Sequence, residues 1–478
     1  MHSAPYPASR SLEPLSERVV LVVVDGLRAD TSTEMEFLNT LRAEGYQALA
    51  RTGQPSYSRP AYAVLLTGAP QELTGVTLNS HSGRVELDTL LRSARRSGKK
   101  TALIAHACWN DLEGGDADVT WVYSDEASKD PAADRQALQQ AIKVLSYHET
   151  QLVILHFCYV DTTGHAYGGA SSQYLAAAKT VDGYISALWS TMDPSRDTLI
   201  VTSDHGMMSG NRNGAGHGGH EKEVITVPLV MAGRGILRGQ GGTHQQVDIA
   251  PTIAALLGIP SPSHATGRVM WDALDAAPRV RAQFQLAEAE RIAWLSAEYL
   301  KAIGRNGSGP DLAEAAALYD ARRYEESAAL ATANVDTSLA AMGAARQWRI
   351  AISVLLRALV LLIPVFIVAQ RFRKAVGRLK PLLLPAFEFI ALTGLIYRFI
   401  PGNTFSLSVF PDAELTTFFM IFGVPAYLAL ATVSRRLFRH PHPDRLSLPL
   451  SSAYLGLFAV ILVTTAVNLR RDKPGGFW

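Results

Sequence analysis

The segment Thr202-Ser-Asp-His-Gly-Met-Met208 follows an apolar run, Thr198-Leu-Ile-Val201, that predicts a buried strand. Asp204 and His205 then lie just past the carboxyl end of that strand, where open α/β sheets bind their ligands. A carboxylate beside an imidazole is a suitable pair of zinc ligands. Because Asp and Gly also favour turns, this segment alone leaves a metal site and a plain turn equally open.

The composition limits the kinds of protein to consider. With 478 residues, the chain is long enough for more than one domain. Its 45 Lys and Arg residues nearly balance 43 Asp and Glu residues, so no nucleic-acid partner is indicated. The two cysteines, Cys108 and Cys158, are too few for a disulfide framework. Cys158 lies in an apolar run and is interpreted as a core residue.

A second acidic residue follows the first predicted strand. Val19-Val-Leu-Val-Val-Val24 is typical of a strand buried on both faces, and it ends at Asp25-Gly26. Asp25 is either a ligand or a helix cap, and since Gly26 permits a tight turn there, we favour a ligand. The alternation of strands and helices predicts one α/β domain at 18–275, with a mostly parallel sheet flanked by helices. Apolar patterns predict helices at 34–44, 85–96, 133–147, 171–191 and 247–258 and further strands at 101–105, 151–160 and 227–232.

Ser58 precedes an apolar helical segment, 61–66. A hydroxyl residue in that place is usually a helix N-cap. It is also a candidate nucleophile, held at a helix N-terminus where a phosphate would bind. Asn79 lies a little further along the chain. It is either a turn residue or an amide directed at a phosphoryl oxygen, which makes it a candidate substrate-binding residue.

A third strand end carries two more candidate ligands. The strand at 151–160 leads into Asp161-Thr-Thr-Gly-His165, so Asp161 and His165 lie four residues apart across a predicted glycine turn. A carboxylate and an imidazole at that spacing can bind one metal ion. His156, inside the strand, is interpreted as a core histidine with its polar atoms satisfied.

The glycine-rich loop Gly214-Ala-Gly-His-Gly-Gly-His220 supplies a further imidazole, from His217 or His220. Such a loop is flexible unless a bound metal restrains it. Two ions about 3.5–4 Å apart can bind both the attacking and the leaving oxygen of a phosphoryl group, and one of them would lower the pKa of a serine hydroxyl. The candidates form two such sets: Asp25, Ser58, Asp204 and His205 in the first, and Asp161, His165 and His217 in the second.

The last part of the chain changes character. Residues 276–346 have helical patterns broken at 304–310, which predict a helical hairpin or linker, and residues 1–17 are interpreted as a linker. The region that follows, 347–478, is predicted to contain four transmembrane helices, at 350–369, 382–400, 416–433 and 449–469. Lys and Arg are concentrated in the first and third connectors between these helices. This charge distribution predicts that those two connectors lie in the cytoplasm and that the N-terminal domain lies outside it.

Six short motifs occur along the chain: Val24-Asp-Gly-Leu-Arg-Ala-Asp30, Ser58-Arg-Pro60, Asp161-Thr-Thr-Gly-His165, Ser203-Asp-His-Gly-Met207, His217-Gly-Gly219 and Asp248-Ile-Ala-Pro251. Together and in this order they resemble the alkaline phosphatase superfamily. Within it, the chain is most similar to the GPI ethanolamine phosphate transferases of the type acting on the first mannose of the anchor. The resemblance covers most of residues 18–346.

The resemblance implies an enzyme with Ser58 as the nucleophile and two zinc sites as grouped above, with Mn²⁺ or Mg²⁺ as alternatives. It also favours His217 over His220, by its spacing to Pro228. The expected activity is transfer of a phosphoethanolamine-like group from a phospholipid to a glycan or lipid hydroxyl, through a covalent Ser58 intermediate. Because that family carries an N-terminal membrane anchor, we expect the true start of the protein to lie upstream of Met1.

Three other functions compete with transfer. A zinc-dependent phosphodiesterase or nucleotide pyrophosphatase would use the same site, and the predicted membrane helices favour transfer without settling the choice. A sulfatase needs Cys or Ser followed by x-Pro-x-Arg, and Ser58-Arg-Pro-Ala-Tyr62 has Tyr in place of that Arg. A non-enzymatic membrane scaffold would be expected to have lost ligands, and none is missing.

Overall fold

The structure is a computed structural model, and it describes residues 5–8, 10–146, 149–210, 216–305 and 309–371. The chain divides into two compact units, with the boundary between Trp348 and Arg349. The sheet and the candidate site lie in the first unit.

One eight-stranded sheet forms the centre of this unit, in the order β4-β3-β5-β1-β6-β7-β2-β8. Strand β7 is antiparallel to both of its neighbours, and the other strands run in one direction. The predicted mostly parallel sheet is therefore confirmed. The strands are β1 Arg18–Val24, β2 Tyr46–Arg51, β3 Lys100–His106, β4 Val119–Tyr123, β5 Thr150–Phe157, β6 Asp197–Thr202, β7 Thr226–Gly233 and β8 Gly239–Gln245.

Helices cover both faces of the sheet. Val19, Leu21 and Val23 of β1 pack into one apolar core, and the alternate residues of the same strand pack into another. A strand buried on both faces requires a continuous apolar run, which is what β1 has. The helices are α1 Glu36–Glu44, α2 Ser58–Thr67, α3 Gln71–Thr74, α4 Leu90–Arg96, α5 Ala107–Glu113, α6 Asp125–Ser128, α7 Pro131–Ser146, α8 Tyr159–Tyr167, α9 Ser172–Trp189, α10 Lys222–Ile225, α11 Ile249–Leu257, α12 Pro278–Ala302, α13 Ala313–Asp320 and α14 Tyr324–Arg371.

Three strands have no counterpart among the predicted elements: β2, β4 and β8. Strand β8 has the sequence GQGGTHQ, without an apolar run or an apolar alternation, and its pairing with β2 holds it in the sheet. Strand β4 lies at the other edge and pairs only with β3 in the described sheet. Its sequence, VTWVY, is largely apolar, but three of its five residues are exposed.

Two predicted boundaries are wrong. The helix predicted at 85–96 begins only at Leu90, because the Thr89 side chain accepts a hydrogen bond from the backbone of Arg92 and caps the helix there. The strand predicted at 151–160 ends at Phe157, and α8 follows almost at once. The glycine turn predicted between Asp161 and His165 is therefore a helix.

Helices α12, α13 and α14 share a small apolar core of their own, which includes Leu286, Ala315 and Ala331.

Before β1, the backbone amides of Leu15 and Ser16 both donate to the carbonyl oxygen of Leu256 at 2.9 Å. The domain boundaries proposed from the sequence, at 17, 275 and 346, stay predictions.

In the part of the chain that the structure describes, no helix has both the length and the apolar character needed to cross a bilayer. The predicted span at 350–369 falls within α14. The other three, at 382–400, 416–433 and 449–469, lie outside the described residues. The transmembrane region stays a prediction.

Candidate metal centre

The site forms at the carboxyl ends of three adjacent strands. Strand β1 pairs in parallel with both β5 and β6, so the residues that follow these strands meet at one edge of the sheet. Asp25 follows β1, and Asp204 and His205 follow β6. The helix after β5 adds Asp161 and His165. This is the edge at which open α/β sheets bind ligands.

Asp25, Asp204 and His205 form the first cluster, with one ligand atom from each lying within 4.8 Å of the others. The Nε2 atom of His205 lies 3.4 Å from Asp25 Oδ1 and 3.2 Å from Asp204 Oδ2. All three side chains are buried. Ser58 joins this cluster, because its Oγ lies 3.0 Å from the same Nε2 atom. The structure thus brings together all four members of the first predicted set.

The atoms that face each other in this cluster are electron-pair donors. Asp25 Oδ1 and Asp204 Oδ2 are buried and accept no hydrogen bond from the described residues. His205 Nδ1 lies 3.0 Å from the carbonyl oxygen of Gly206, which can only accept, so that nitrogen carries the ring proton. Nε2 therefore presents a lone pair to the two carboxylate oxygens. A divalent cation at their meeting point would remove the repulsion among these atoms, so the residues fit a metal ion.

Backbone donors fix the other oxygen of Asp204. Its Oδ1 atom accepts from the amides of Gly26 at 3.1 Å and His205 at 2.9 Å. The Gln246 side chain also donates to the carbonyl oxygens of Ser203 and Asp204, at 3.2 and 2.9 Å. The loop after β6 is thereby fixed, with one oxygen of Asp204 used by the protein and the other directed into the cluster.

Asp161, His165 and His217 form the second cluster. Asp161 and His165 lie on successive turns of α8, which brings His165 Nε2 to 3.4 Å from Asp161 Oδ2. His217 Nε2 lies 3.1 Å from His165 Nε2 and 3.7 Å from Asp161 Oδ1, and Asp161 Oδ1 accepts no hydrogen bond from the described residues. The second predicted set is thus also brought together, on a helix rather than on the predicted turn.

Gly164 is a requirement of this helix. A Cβ atom at that position would lie 2.5 Å from Cε of Met207, in the loop after β6. The glycine therefore lets α8 approach the loop that carries Asp204 and His205. Its role is close packing between the two clusters, where the sequence had suggested a turn.

His217 is held by protein contacts as well as by its place in the cluster. Its Nδ1 atom lies 3.1 Å from the carbonyl oxygen of Ser56, which fixes the tautomer and leaves Nε2 unprotonated. The Ser56 hydroxyl donates to the carbonyl oxygen of Gly219 at 2.7 Å and accepts from the amide of Gly218 at 3.1 Å. His220, three residues on, is exposed. The structure places His217, and not His220, beside the other candidate ligands.

The two clusters touch. The rings of His205 and His217 stack with their centroids 3.7 Å apart and their planes 14° apart. Asp161, His205 and His217 also have ligand atoms within 4.8 Å of one another. Two cations bound here would be neighbours, as a two-metal phosphoryl-transfer site requires.

The pKa values reflect a surplus of buried acceptors. Burial raises the pKa of Asp204 well above the usual range of a carboxyl group, and the nearby Asp25 and Asp161 raise it further. Burial lowers the pKa of His205 to about 4 and that of His217 well below its usual value. Burial also acts to raise the pKa of Asp25, but the hydrogen bond from His156 and the neighbouring His205 outweigh it and keep that pKa low. A bound cation would supply the positive charge that this environment lacks.

Ser58 is the first residue of α2, and Tyr57 occupies the N-cap position. The N-cap interpretation of Ser58 is therefore wrong. Asn79 Oδ1 accepts from the backbone amide of Arg59 at 3.0 Å, so the oxygen of this candidate substrate-binding residue is used by the helix. Its role toward a substrate stays a prediction, as do the roles of Ser58 and of the seven candidate ligands.

Two residues at the site were not predicted from the sequence: Tyr62 was missed, and His156 was interpreted only as a core histidine. The Tyr62 hydroxyl donates to Asp25 Oδ2, and His156 Nε2 lies 3.2 Å from the same oxygen. His156 is fully buried, as a core histidine would be, but its partner is a candidate ligand. The signal in the sequence is a histidine within an otherwise apolar strand. Tyr62 gives no such signal, because an aromatic residue in an apolar helix is ordinary.

The region that carries this site matches a known family. Residues 19–222 match the model of the type I phosphodiesterase / nucleotide pyrophosphatase family, and the chain is an enzyme. GPI ethanolamine phosphate transferase 1 of Mus musculus is 27% identical over 318 residues, which are 55% of this chain and 33% of the relative. The same-named protein of Homo sapiens is 26% identical over 343 residues, 60% of this chain and 36% of the relative. These matches confirm the resemblance carried by the six motifs.

The chain spans about a third of the length of these relatives, 33% and 36%. Among solved structures, murine ectonucleotide pyrophosphatase / phosphodiesterase 5 superposes on 53% of this chain and 98% of its own, with a TM-score of 0.46 and 14% identity.

We expect the purified protein to hold divalent metal through His217 and to do so without His220. His217→Ala removes a lone pair from the second cluster, so it should lose most of the metal bound there. His220→Ala removes an exposed imidazole and should leave the metal content unchanged. Elemental analysis by mass spectrometry measures both variants against the wild type. Adding a chelator should lower the melting temperature of the wild type and of His220→Ala, since a ligand at 100 times its Kd stabilises by about 2.7 kcal/mol. Equal metal loss in the two variants would contradict the assignment.

Proposed function

We propose that this chain is a membrane-bound, zinc-dependent transferase that moves a phosphoethanolamine-like group from a phospholipid to a hydroxyl of a glycan or lipid. The observation that carries the proposal is the position of Ser58. Its Oγ lies 3.0 Å from His205 Nε2, against the cluster of Asp25 and Asp204. A hydroxyl among candidate metal ligands is the arrangement of an activated nucleophile. The identity of the transferred group is inferred from the relatives, which are GPI ethanolamine phosphate transferases.

Zinc is the proposed metal because the ligands are imidazole nitrogens and carboxylate oxygens, with Mn²⁺ or Mg²⁺ as alternatives. Bound at the two clusters, the metal would neutralise phosphoryl charge and lower the pKa of the serine hydroxyl.

The backbone of α2 gives limited help with the phosphoryl charge. A helix N-terminus normally offers free amides to a phosphate. Here the amide of Arg59 donates to Asn79, Pro60 has no N–H, and the amide of Ala61 donates to the carbonyl oxygen of Tyr57 at 3.1 Å. With three amides of the first turn occupied or lacking, most of the charge neutralisation falls to the clusters.

The reaction would proceed in two balanced displacements at phosphorus. In the first, Ser58 Oγ forms a bond to the phosphorus of the donor diester while the bond from phosphorus to the lipid oxygen breaks. Ser58 loses its hydroxyl proton, and the departing lipid oxygen keeps the electron pair and gains a proton. In the second, the acceptor hydroxyl attacks the phosphodiester on Ser58. The bond from phosphorus to Oγ then breaks, and Ser58 regains a proton as the acceptor loses one.

A second candidate function is hydrolysis. The family model names phosphodiesterases and nucleotide pyrophosphatases, and the same residues would serve if water replaced the acceptor in the second displacement. Both functions therefore share the Ser58 intermediate and differ only in what removes the group from it.

Ser58→Ala should retain metal, because Asp25, Asp204 and His205 remain, and should lose turnover by about 10⁴-fold or more. Ser58→Thr keeps a hydroxyl and should retain part of the activity. Ser195→Ala, at an exposed serine outside the site, is the matched control. Mass spectrometry of protein quenched with donor should find the added group on the peptide containing Ser58. Wild-type turnover in Ser58→Ala would exclude the covalent route.

Transfer and hydrolysis can be separated by following the label. The full chain is incubated with phosphatidylethanolamine labelled in the head group, with and without a mannose-containing glycolipid. A transferase should move label to the glycolipid and release little without it. Release of soluble phosphoethanolamine at the same rate in both mixtures would favour the hydrolase, as would faster cleavage of a nucleotide diester.

We propose that the protein is integral to a membrane and that its catalytic domain lies outside the cytoplasm. This orientation is inferred because the first and third predicted connectors are rich in basic residues. Lys129→Cys introduces a thiol on a side chain that is 53% exposed. An impermeant maleimide should label this variant in intact cells, above the wild-type background of Cys108 and the buried Cys158. Labelling that appears only after lysis would place the domain in the cytoplasm.

A further inference from the structure

We propose that Tyr62 and His156 are positioning residues that orient Asp25 toward the metal and tie the helix of Ser58 to it. The inference rests on the proposed metal site and adds residues that lie outside its ligand sets. Both side chains meet Asp25 on the oxygen that faces away from the first cluster. Neither Tyr62 nor His156 is needed as a ligand for the site to be complete.

The two oxygens of Asp25 have opposite surroundings. Oδ2 accepts from the Tyr62 hydroxyl, lies 3.2 Å from His156 Nε2, and is 3.9 Å from Cys158 Sγ. Oδ1 accepts no hydrogen bond from the described residues and lies 3.4 Å from His205 Nε2. Because a carboxylate is planar, holding Oδ2 in place fixes the direction in which Oδ1 points. The lone pairs of Oδ1 are thereby kept for the cation.

Asp25, His156 and Cys158 also have ligand atoms within 4.8 Å of one another. That group is less suited to a metal than the first cluster. At 3.2 Å, His156 Nε2 and Asp25 Oδ2 are at hydrogen-bond distance from each other, and Oδ2 already accepts from Tyr62. The contact is that of a donor holding an acceptor, so His156 is assigned to support Asp25.

Tyr62 connects this support to the nucleophile. Ser58 and Tyr62 are four residues apart on α2, so they lie on one face of the helix, one turn from each other. Ser58 contacts His205, and Tyr62 contacts Asp25. The helix is therefore attached to the first cluster at two points. The bond from Tyr62 to Asp25 sets how far Ser58 lies from the candidate ligands.

Packing leaves Tyr62 and His156 little freedom to move. The Tyr62 ring stacks on Trp109 with the centroids 4.5 Å apart, and it meets the edge of the His156 ring at 5.1 Å. Behind His156, the Tyr123 hydroxyl lies 3.2 Å from Nδ1 and 3.1 Å from the His156 carbonyl oxygen. Tyr62 is 2% exposed and His156 is 0% exposed. A donor held this firmly can fix the direction of its acceptor.

The experiment measures zinc affinity rather than turnover. The full chain is stripped with a chelator, and the Kd for zinc is determined by competition with a chromophoric chelator. Tyr62→Phe keeps the ring and removes the hydroxyl, and His156→Leu removes the imidazole donor. Loss of an outer hydrogen bond to a metal ligand typically weakens metal binding by about 10–100-fold, and we expect a loss of that size in each variant. His156→Gln retains a side-chain N–H and should recover most of the affinity.

Tyr46→Phe is the matched control. Tyr46 is also buried, at 1% exposed, and its hydroxyl also donates to a carboxylate, that of Asp272, away from the clusters. This variant should lose thermal stability in the stripped protein and bind zinc as the wild type does. A merely structural role of Tyr62 would make Tyr62→Phe behave in the same way.

The outcomes separate this inference from the proposed function. If the wild type binds zinc and both Tyr62→Phe and His156→Leu bind it equally well, the positioning role is wrong and the metal site stands. If either variant fails to fold, the other variant and His156→Gln decide. If the wild type itself binds no divalent metal, the proposed function fails and this inference fails with it.

Discussion

The constraint on which this structure depends is the meeting of buried hydrogen-bond acceptors at one edge of a sheet. Asp25, Asp161 and Asp204 each direct there a buried oxygen that accepts no hydrogen bond from the described residues. Backbone carbonyls fix the tautomers of His205 and His217 so that their lone pairs point the same way. Leaving so many buried acceptors uncompensated is expensive, and coordination of a metal is one of the ways in which proteins satisfy buried charged groups.

The fold serves this constraint by dividing the work of each carboxylate. Oδ2 of Asp25 is held by side chains, and Oδ1 of Asp204 is held by backbone amides. The remaining oxygen of each is thereby directed into the first cluster. Parallel pairing of β1 with β5 and β6 brings the carriers of these groups to one edge, and Gly164 lets α8 approach the loop after β6. Each of these contacts restricts the orientation of a candidate ligand.

The N-terminus of α2 offers few free amides to an anion beside these clusters. Asn79 and Tyr57 use two of the first-turn amides of α2, and Pro60 removes a third. The helix thus positions Ser58 without providing an open anion site. The match of residues 19–222 to the type I phosphodiesterase / nucleotide pyrophosphatase family supports the proposed phosphoryl transfer. The chain spans about a third of the length of the transferases it resembles, 33% and 36%, so the acceptor remains part of the proposal.

The sequence by itself determined the strands β1 and β6, the parallel character of the sheet and the seven candidate ligands. It could do so because buried strands need continuous apolar runs, and because acids and histidines directly after such runs fall at one edge. Only the tertiary structure decided that Asp161 and His165 lie on a helix, that β8 joins the sheet, and that Tyr62 bonds to Asp25. These depend on contacts between residues far apart in the chain. No local pattern records such contacts, since a tyrosine in an apolar helix has the same appearance whether its hydroxyl meets a ligand or the core.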